Sequence, residues 1–386
     1  MRSDFLTFGK PKITNEDIKN VVKILKSGWI GTGPIVKKFE DEFSKFKNVD
    51  SSKVLALNSC TSAITLALKT LNFEKNSEII TTPMTFCSTV NTIINADLKP
   101  VFIDINENTR NINPDLIEKK ITKKTKAILI VHFAGMPCEM DKILKITKKY
   151  KLKLIEDCAH SIESEYKGKK IGTFGDFSCF SFYANKNITT GGEGGILICK
   201  SKKNAEFCRK LSLHGMSKDA WKRFNKKGFS HYDVVHSGFK YNLTDLAAST
   251  GLGGLKLIKK NLKKRIEICK YYEKNLKDLP IKLPEFCYDK NIVHAHHLYN
   301  ILITNNSRFS RDKVIKKLND LNIGTGIHYQ CITKFTFYRK NFSFKKNSFP
   351  IAEKIGENNI SLPLSPGMRK YDAMTVVEAL KRIFYE

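Results

Sequence analysis

Ala127-Ile-Leu-Ile-Val131, the segment Glu139 to Tyr150, and Leu152-Lys-Leu-Ile155 together decide the fold. A short unbroken apolar run, an amphipathic stretch and a second apolar run read as strand, helix and strand. Strands that are apolar on both faces belong to a mostly parallel sheet with helices packed on either side. The same alternation extends upstream. Val54-Leu-Ala-Leu57, Glu78-Ile-Ile-Thr81 and Pro100-Val-Phe-Ile103 read as strands, and Thr61 to Leu71, Ser88 to Asn95 and Asp115 to Ile121 as helices. Before it, Asn15 to Ser27 reads as a first helix with Ile18, Val21, Val22 and Leu25 on one face. Gly28-Trp-Ile-Gly-Thr-Gly-Pro34 breaks it, and Phe39, Phe43 and Phe46 mark the next helix.

After about residue 245 the pattern changes. A long helical stretch, Asp245 to Leu276, leads to a strand at His297 to Ile303, a helix at Arg311 to Leu321 and a terminal helix at Asp372 to Phe384. The expected fold is α/β, with a large domain over residues 1–250 and a smaller α+β domain over residues 251–386 that includes the linking helix. The N-terminal helix is placed to pack on the smaller domain.

The chain has 386 residues, 41% of them hydrophobic, which is enough for a large core. No run approaches the roughly 20 apolar residues of a membrane span, so no membrane insertion is expected. The N-terminus lacks the apolar core of a signal peptide. Ten cysteines stand singly with no C-x-x-C pair, and read as thiols in a reducing cytoplasm rather than disulfides or zinc ligands. The formal net charge of +29 is spread end to end in short pairs such as Lys37-Lys38 and Lys148-Lys149. That is a solvated surface able to concentrate an anionic small substrate, and no nucleic-acid motif accompanies it.

In such sheets ligands bind at the carboxyl ends of the strands. The segment Phe180-Ser-Phe-Tyr-Ala-Asn-Lys186 places one lysine after an apolar run and ahead of four glycines, Gly191, Gly192, Gly194 and Gly195. A lysine held there by backbone on both sides can lose its proton and attack a carbonyl. The glycines allow close backbone approach; they do not open a helix in the dinucleotide-binding form. Asn58-Ser-Cys-Thr-Ser62 begins a helix, and reads either as an ordinary N-cap or as a phosphate site. Phe86, in Thr82-Pro-Met-Thr-Phe-Cys-Ser88, either joins the core or lies against a flat cofactor. Asp157, in Ile155-Glu-Asp-Cys-Ala-His160, is a carboxylate at the end of a buried strand, costly unless paired or functional. Next to a pyridine nitrogen it would keep that nitrogen protonated. His294, His296 and His297 lack an accompanying carboxylate and are split by strand alternation, so no metal is expected. His328-Tyr329 reads either as a packed pair or as a substrate contact.

Taken with Gly238-Phe-Lys-Tyr-Asn-Leu-Thr-Asp245, His297-Leu-Tyr299 and Leu362-Pro-Leu364, these segments give the sequence a resemblance to the DegT/DnrJ/EryC1/StrS sugar aminotransferases, pyridoxal-phosphate enzymes of fold type I. Its flavour is closest to enzymes that aminate C4 of UDP-linked 4-keto sugars, such as the UDP-4-amino-4-deoxy-L-arabinose aminotransferases. The resemblance implies that Lys186 joins the cofactor covalently and later moves a proton, that Asp157 pairs with the pyridine nitrogen, and that His160 lies by the ring hydroxyl. It implies that Phe86 stacks on the ring, and that Cys60, Thr61 and Ser181 hold the phosphate. Asn242 would reach the phosphate of the neighbouring subunit, giving a homodimer with a shared site. Thr32 and His328 stand as candidate substrate contacts. Glutamate would donate the amino group to a nucleotide-linked keto sugar, for a surface glycan or modified lipid. Dehydratases of the family replace the lysine by histidine, so Lys186 favours transamination. Amination at C3 and a non-catalytic, nucleic-acid-binding or regulatory relative are the alternatives. Residues 214–235 are expected to cover the substrate.

Overall fold

A computed structural model describes residues 3–217, 232–286, 290–345 and 347–385. Helices α1 (Asn15–Ser27) and α2 (Pro34–Lys47) precede the alternating region. That region runs β1 (Val54–Leu57), α3 (Cys60–Leu71), β2 (Glu78–Thr81), α4 (Cys87–Asn95), β3 (Lys99–Phe102), β4 (Thr125–Val131), α5 (Met140–Tyr150) and β5 (Lys153–Asp157). Two short strands follow, β6 (Glu165–Tyr166) and β7 (Lys169–Lys170), then β8 (Phe177–Ser181), β9 (Gly195–Cys199) and α6 (Lys202–Leu211). The remainder holds α7 (Asp245–Lys256), α8 (Ile258–Leu276), β10 (Ile281–Lys282), β11 (Ile292–Val293), β12 (Tyr299–Ile303), α9 (Arg311–Asp320), α10 (Thr336–Asn341), α11 (Pro350–Asn358), β13 (Asn359–Leu362) and α12 (Lys370–Tyr385).

Seven strands form the main sheet in the order β1-β9-β8-β5-β4-β2-β3, and only β9 runs antiparallel to its neighbours. Its strands are apolar on both faces because both faces are covered, with Leu55, Leu129 and Ile155 packed to one side and Ala56, Ile128 and Leu154 to the other. Burying such side chains contributes about 1.5–3 kcal/mol each, which outweighs their weak local preferences. A second core gathers α8, α9 and α12 around the antiparallel sheet β10-β12-β13 and takes in Leu6 from the N-terminal segment.

Three local expectations change. Asp115 to Ile121 is not one helix but two 3-10 turns, Pro114–Leu116 and Glu118–Lys120. The long C-terminal helical stretch is two helices that meet at Leu257, with Leu255 and Ile258 in the first core and Ile268 and Cys269 in the second. On α1, Ile18, Val22 and Leu25 are exposed, and the helix instead buries Asp17 and Ile24. It packs along α7, where a Cβ added at Gly253 would fall 1.6 Å from Asp17 Oδ1, so only glycine admits the close approach. Of the segment expected to cover the substrate, residues 218–231 lie outside the described residues.

Candidate active site

The carboxyl ends of β5 and β8 and the N-termini of α3 and α4 converge on a cleft of about 720 Å³. Cys60, Thr61, Phe86, Asp157, His160, Ser181, Lys186 and His328, all singled out from sequence, line it together. Thr32 and Asn242 do not. They pair with each other, Asn242 Nδ2 donating to Thr32 Oγ1 at 2.6 Å, and Thr32 Oγ1 donates in turn to the Leu243 carbonyl at 2.5 Å. Asp245 fixes the same loop by accepting from the amides of Gly33 and Val36, each at 2.8 Å, at the start of α2. A larger groove, about 970 Å³, runs between α1, α2 and α7 away from the strand ends.

Lys186 ends a tight turn in which its N–H donates to the Tyr183 carbonyl at 2.9 Å. Its side chain is half-buried on the cleft floor, and desolvation pushes its ammonium down to about 8, against an opposing pull from Asp157. A lysine so placed is neutral for an appreciable fraction of the time near neutral pH. The next residue, Asn187, anchors the turn. Its Nδ2 donates to Glu163 Oε2 at 2.7 Å, so its Oδ1 accepts from His297 Nδ1 at 2.9 Å, and the buried guanidinium of Arg265 closes the chain on Glu163.

Asp157 and Glu156 are adjacent on β5 and point to opposite faces. Glu156 is fully occupied: it accepts from the amides of Gly172, Phe174 and Gly175, from the Ser178 hydroxyl at 2.9 Å and from His132 Nε2 at 3.2 Å. It shapes the loop before β8. Asp157 faces the cleft. One oxygen accepts from the Ala159 amide at 3.1 Å and the other from Thr89 Oγ1 at 3.0 Å. Burial raises its carboxyl above the usual range, while those donors and the Lys186 charge pull it back. Such an acid is stabilised as the carboxylate when a cationic ring nitrogen comes beside it.

Ser59 is the N-cap of α3. Its hydroxyl accepts from the Ser62 amide at 3.0 Å, leaving the first amides, those of Cys60 and Thr61, aimed into the cleft at the positive end of the helix. Gly195 of β9 lies against this turn: a Cβ there would sit 2.4 Å from the Ser59 carbonyl carbon and 2.7 Å from the Cys60 nitrogen. Phe86 occupies the N-cap position of α4 and is 57% exposed at the cleft, so its side chain is open to a flat partner there.

His160 has both ring nitrogens engaged. Nδ1 accepts from the Ala134 amide at 3.2 Å, so the proton resides on Nε2, which donates to the Tyr329 hydroxyl oxygen at 3.0 Å. Burial, with Lys186 and His297 nearby, holds the ring neutral. The proton left over belongs to Tyr329, whose ring lies 6.1 Å from that of Phe86 at the cleft wall. Tyr329 thus offers the cleft a donor that His160 does not.

Thr89, Asn187 and Glu163 carry no local signal that sequence reasoning could use, and Tyr329 was visible only as half of the His328-Tyr329 pair. His297 packs on His160, with ring centroids 4.3 Å apart, and serves Asn187; His294 Nδ1 accepts from the His296 amide at 2.8 Å.

A proton-poor lysine, an acid able to face a ring nitrogen, an exposed aromatic face and an amide cradle for an anion in one cleft define a pyridoxal-phosphate enzyme, and the residues present fit that cofactor. The chain belongs to the DegT/DnrJ/EryC1/StrS aminotransferase family, which it matches over residues 11–381 and whose cofactor is pyridoxal phosphate. It is 41% identical to the spore coat polysaccharide biosynthesis protein SpsC of Bacillus subtilis over 99% of this chain and 98% of the relative. Among solved structures it is similar to the putative sugar aminotransferase Spr1654 of Streptococcus pneumoniae in its PLP form, with TM-score 0.90, 30% identity and 99% of each chain covered. It is also similar to Helicobacter pylori PseC, an aminotransferase involved in pseudoaminic acid biosynthesis, with TM-score 0.90 and 29% identity, covering 99% of this chain and 100% of that one.

Proposed function

We propose that this chain transfers an amino group from glutamate to C4 of a nucleotide-linked 4-keto sugar for a surface polysaccharide or lipid. The observation that carries the reading is Lys186 and Asp157 lining one cleft together with His328 and Tyr329. The cleft lies within the roughly 300–1,000 Å³ range of small-molecule sites. The names of SpsC and PseC, a polysaccharide and a sugar-acid pathway, support a sugar acceptor.

Bound pyridoxal phosphate supplies the electron sink for the carbon that loses its proton. The chain supplies the rest. Cys60 and Thr61 amides with Ser181 would hold the phosphate, Phe86 would lie against the ring, and Asp157 would keep the ring nitrogen protonated. Lys186 Nζ, neutral near pH 8 because it is desolvated, takes and returns the proton at the reacting carbon. Asn187, bonded to Glu163 and His297, limits how far that nitrogen can wander. The basic surface raises the local concentration of a phosphate-bearing sugar.

The proposed assembly is a homodimer. Ile18, Val22 and Leu25 leave an apolar stripe exposed on α1, Trp29 lines the groove between α1, α2 and α7, and the Thr32–Asn242 pair lies outside its own chain's cleft, where it can serve the neighbouring subunit's phosphate. The division near residue 250 into a cofactor domain and a smaller domain belongs to the same reading.

The purified protein should be yellow and should fix a borohydride-reduced adduct on Lys186; an adduct mapping elsewhere refutes the assignment. UDP-, GDP- and dTDP-linked 4-keto and 3-keto sugars assayed with glutamate decide the ring position, and amination of only the 3-keto sugars would replace C4 by C3. Salt-dependent DNA binding without a cofactor spectrum would favour a regulatory role.

A further inference from the structure

Arg110 is an arginine where an α/β core does not ordinarily tolerate one. It is 5% exposed, sits in the loop after β3 at φ +59°, and burial lowers its guanidinium to about 10, with only a weak opposing pull from Glu285. No carboxylate among the described residues pairs with it. Its Nη1 donates to both the backbone and the side-chain oxygens of Asn300 on β12, 2.9 Å from the former, while its Nε has no partner. A buried charge spent on a neutral asparagine, with the Phe133 ring centroid 6.0 Å from Arg110 Cζ, calls for a reason beyond stability.

The reason lies in the direction of the hydrogen bonds that follow. Arginine only donates, so Asn300 must turn Oδ1 toward it and Nδ2 away. That Nδ2 donates to Ser361 Oγ on β13 at 2.7 Å and to Asn359 Oδ1 at 3.2 Å. Ser361 Oγ accepts from Asn300, and the one acceptor that its hydrogen bonds offer its own proton among the described residues is His328 Nδ1 at 2.9 Å, so it donates there. His328 Nδ1 is then an acceptor, and its one proton resides on Nε2. Burial pushes the ring down to about 3, so it carries one proton only. Asn359 fixes the backbone: its Oδ1 accepts from the His328 amide at 2.9 Å, and its Nδ2 donates to the Tyr329 carbonyl at 3.2 Å. The chain starts beside β3 of the main sheet, crosses two strands of the other sheet and ends in the cleft.

We propose that Arg110, Asn300 and Ser361 form a polarity-setting relay that locks His328 in its Nε2–H form, so that it meets the oxygens of the keto sugar as a donor. The inference rests on the keto-sugar reading for its last step, and on this structure alone for the rest. With the Tyr329 hydroxyl, oriented by His160, the same wall offers two donors and suits a carbonyl and neighbouring hydroxyl oxygens. Arg110, Asn300 and Ser361 are positioning residues and touch no reacting atom.

The test uses the full-length, cofactor-loaded protein labelled with ¹⁵N-histidine and assigned with His328→Gln. At pH 7 the wild type should show His328 with Nδ1 unprotonated and Nε2 protonated. Asn300→Asp keeps the shape, gives Arg110 a counter-charge and can only accept. Ser361 must then donate to it, His328 must donate from Nδ1, and the two resonances should exchange. Ser361→Ala, which cuts the relay, should give averaged resonances. In assays, Asn300→Asp should raise KM for the keto sugar about tenfold with little change in kcat. A wild-type His328 protonated on Nδ1, or one unchanged in Asn300→Asp, overturns the relay. Exchanged resonances with an unaltered KM overturn the donor role toward the sugar, and do so without bearing on whether Lys186 carries the cofactor.

Discussion

Thr89 Oγ1 donates to Asp157 Oδ2 at 3.0 Å, with Thr85 Oγ1 2.8 Å behind it. The pair comes from α4 and β5, and it holds the acid in the cleft, where the proposed reading puts the ring nitrogen. Burial raises the Asp157 carboxyl and each donor lowers it, so losing the Thr89 bond raises it further. If Asp157 faces the ring nitrogen as proposed, cofactor affinity needs the carboxylate and should fall as pH drops through its pKa. Thr89→Val should move that fall to higher pH by about one unit, the worth of one charge-assisted hydrogen bond, and Thr89→Ser should not. Absorbance titrations of pyridoxal phosphate between pH 5 and 8 measure it; superimposed profiles refute the role.

Lys186 gives a stability prediction in the cofactor-free protein. Its folded pKa is about 8 and its unfolded value 10.5. Below pH 8 the ammonium is charged in both states and the desolvation penalty is fully present. Between the two values the unfolded chain binds more protons, so stability rises with pH. Lys186→Met removes the penalty. It should stabilise the apo-protein at pH 7 by about 1 kcal/mol, a figure reduced because the side chain opens to the cleft. The gain should vanish by pH 10.5. Urea melts at both pH values decide it, and a variant no more stable at pH 7 would show a solvated lysine.

Glu163 is where the lysine turn is tied to the interior. It takes Asn187 on one oxygen and buried Arg265 on the other. Glu163→Ala leaves Arg265 with only the Ala295 carbonyl and should destabilise by about 3–5 kcal/mol. Glu163→Gln keeps one acceptor, which Arg265 can take, and turns an N–H2 donor toward Asn187 Nδ2, so it should cost less than Glu163→Ala while loosening the turn, lowering kcat more than KM. Equal melting of both variants and the wild type would contradict this.

The main sheet was legible because burial on both faces forces uninterrupted apolar runs, which stand out against a lysine-rich background. Lys186, Asp157 and Phe86 were legible for a related reason, each being a polar or exposed residue where such a run ends. The 3-10 turns after Asn113 were not, since apolar spacing alone does not separate them from a helix. The exposed face of α1 reverses the expectation from periodicity: an apolar stripe states that a face will be covered, not that its own chain covers it. Thr89, Asn187 and Arg110 act through partners tens to hundreds of residues away, and no local pattern encodes such pairs.

Gly195 tests the phosphate cradle by shape alone. The backbone of β9 passes so close to the first turn of α3 that a methyl group would overlap the Ser59 carbonyl carbon at 2.4 Å, its oxygen at 2.5 Å and the Cys60 nitrogen at 2.7 Å. All three are backbone atoms and cannot swing aside as a side chain would. Either β9 leaves its register with β1 and β8, or the turn carrying the Cys60 and Thr61 amides moves. The sheet contacts on both sides of β9 make the turn the weaker party. Gly195→Ala should therefore lower pyridoxal phosphate affinity about tenfold or more, in line with the roughly 1–3 kcal/mol cost of overpacking. Adding inorganic phosphate should protect the wild type against thermal unfolding and protect the variant less. Gly191→Ala, at φ +83° on the same run but with only Thr250 within 4 Å, should strain its own turn and leave phosphate protection intact. Equal protection of Gly195→Ala and wild type would place the anion elsewhere.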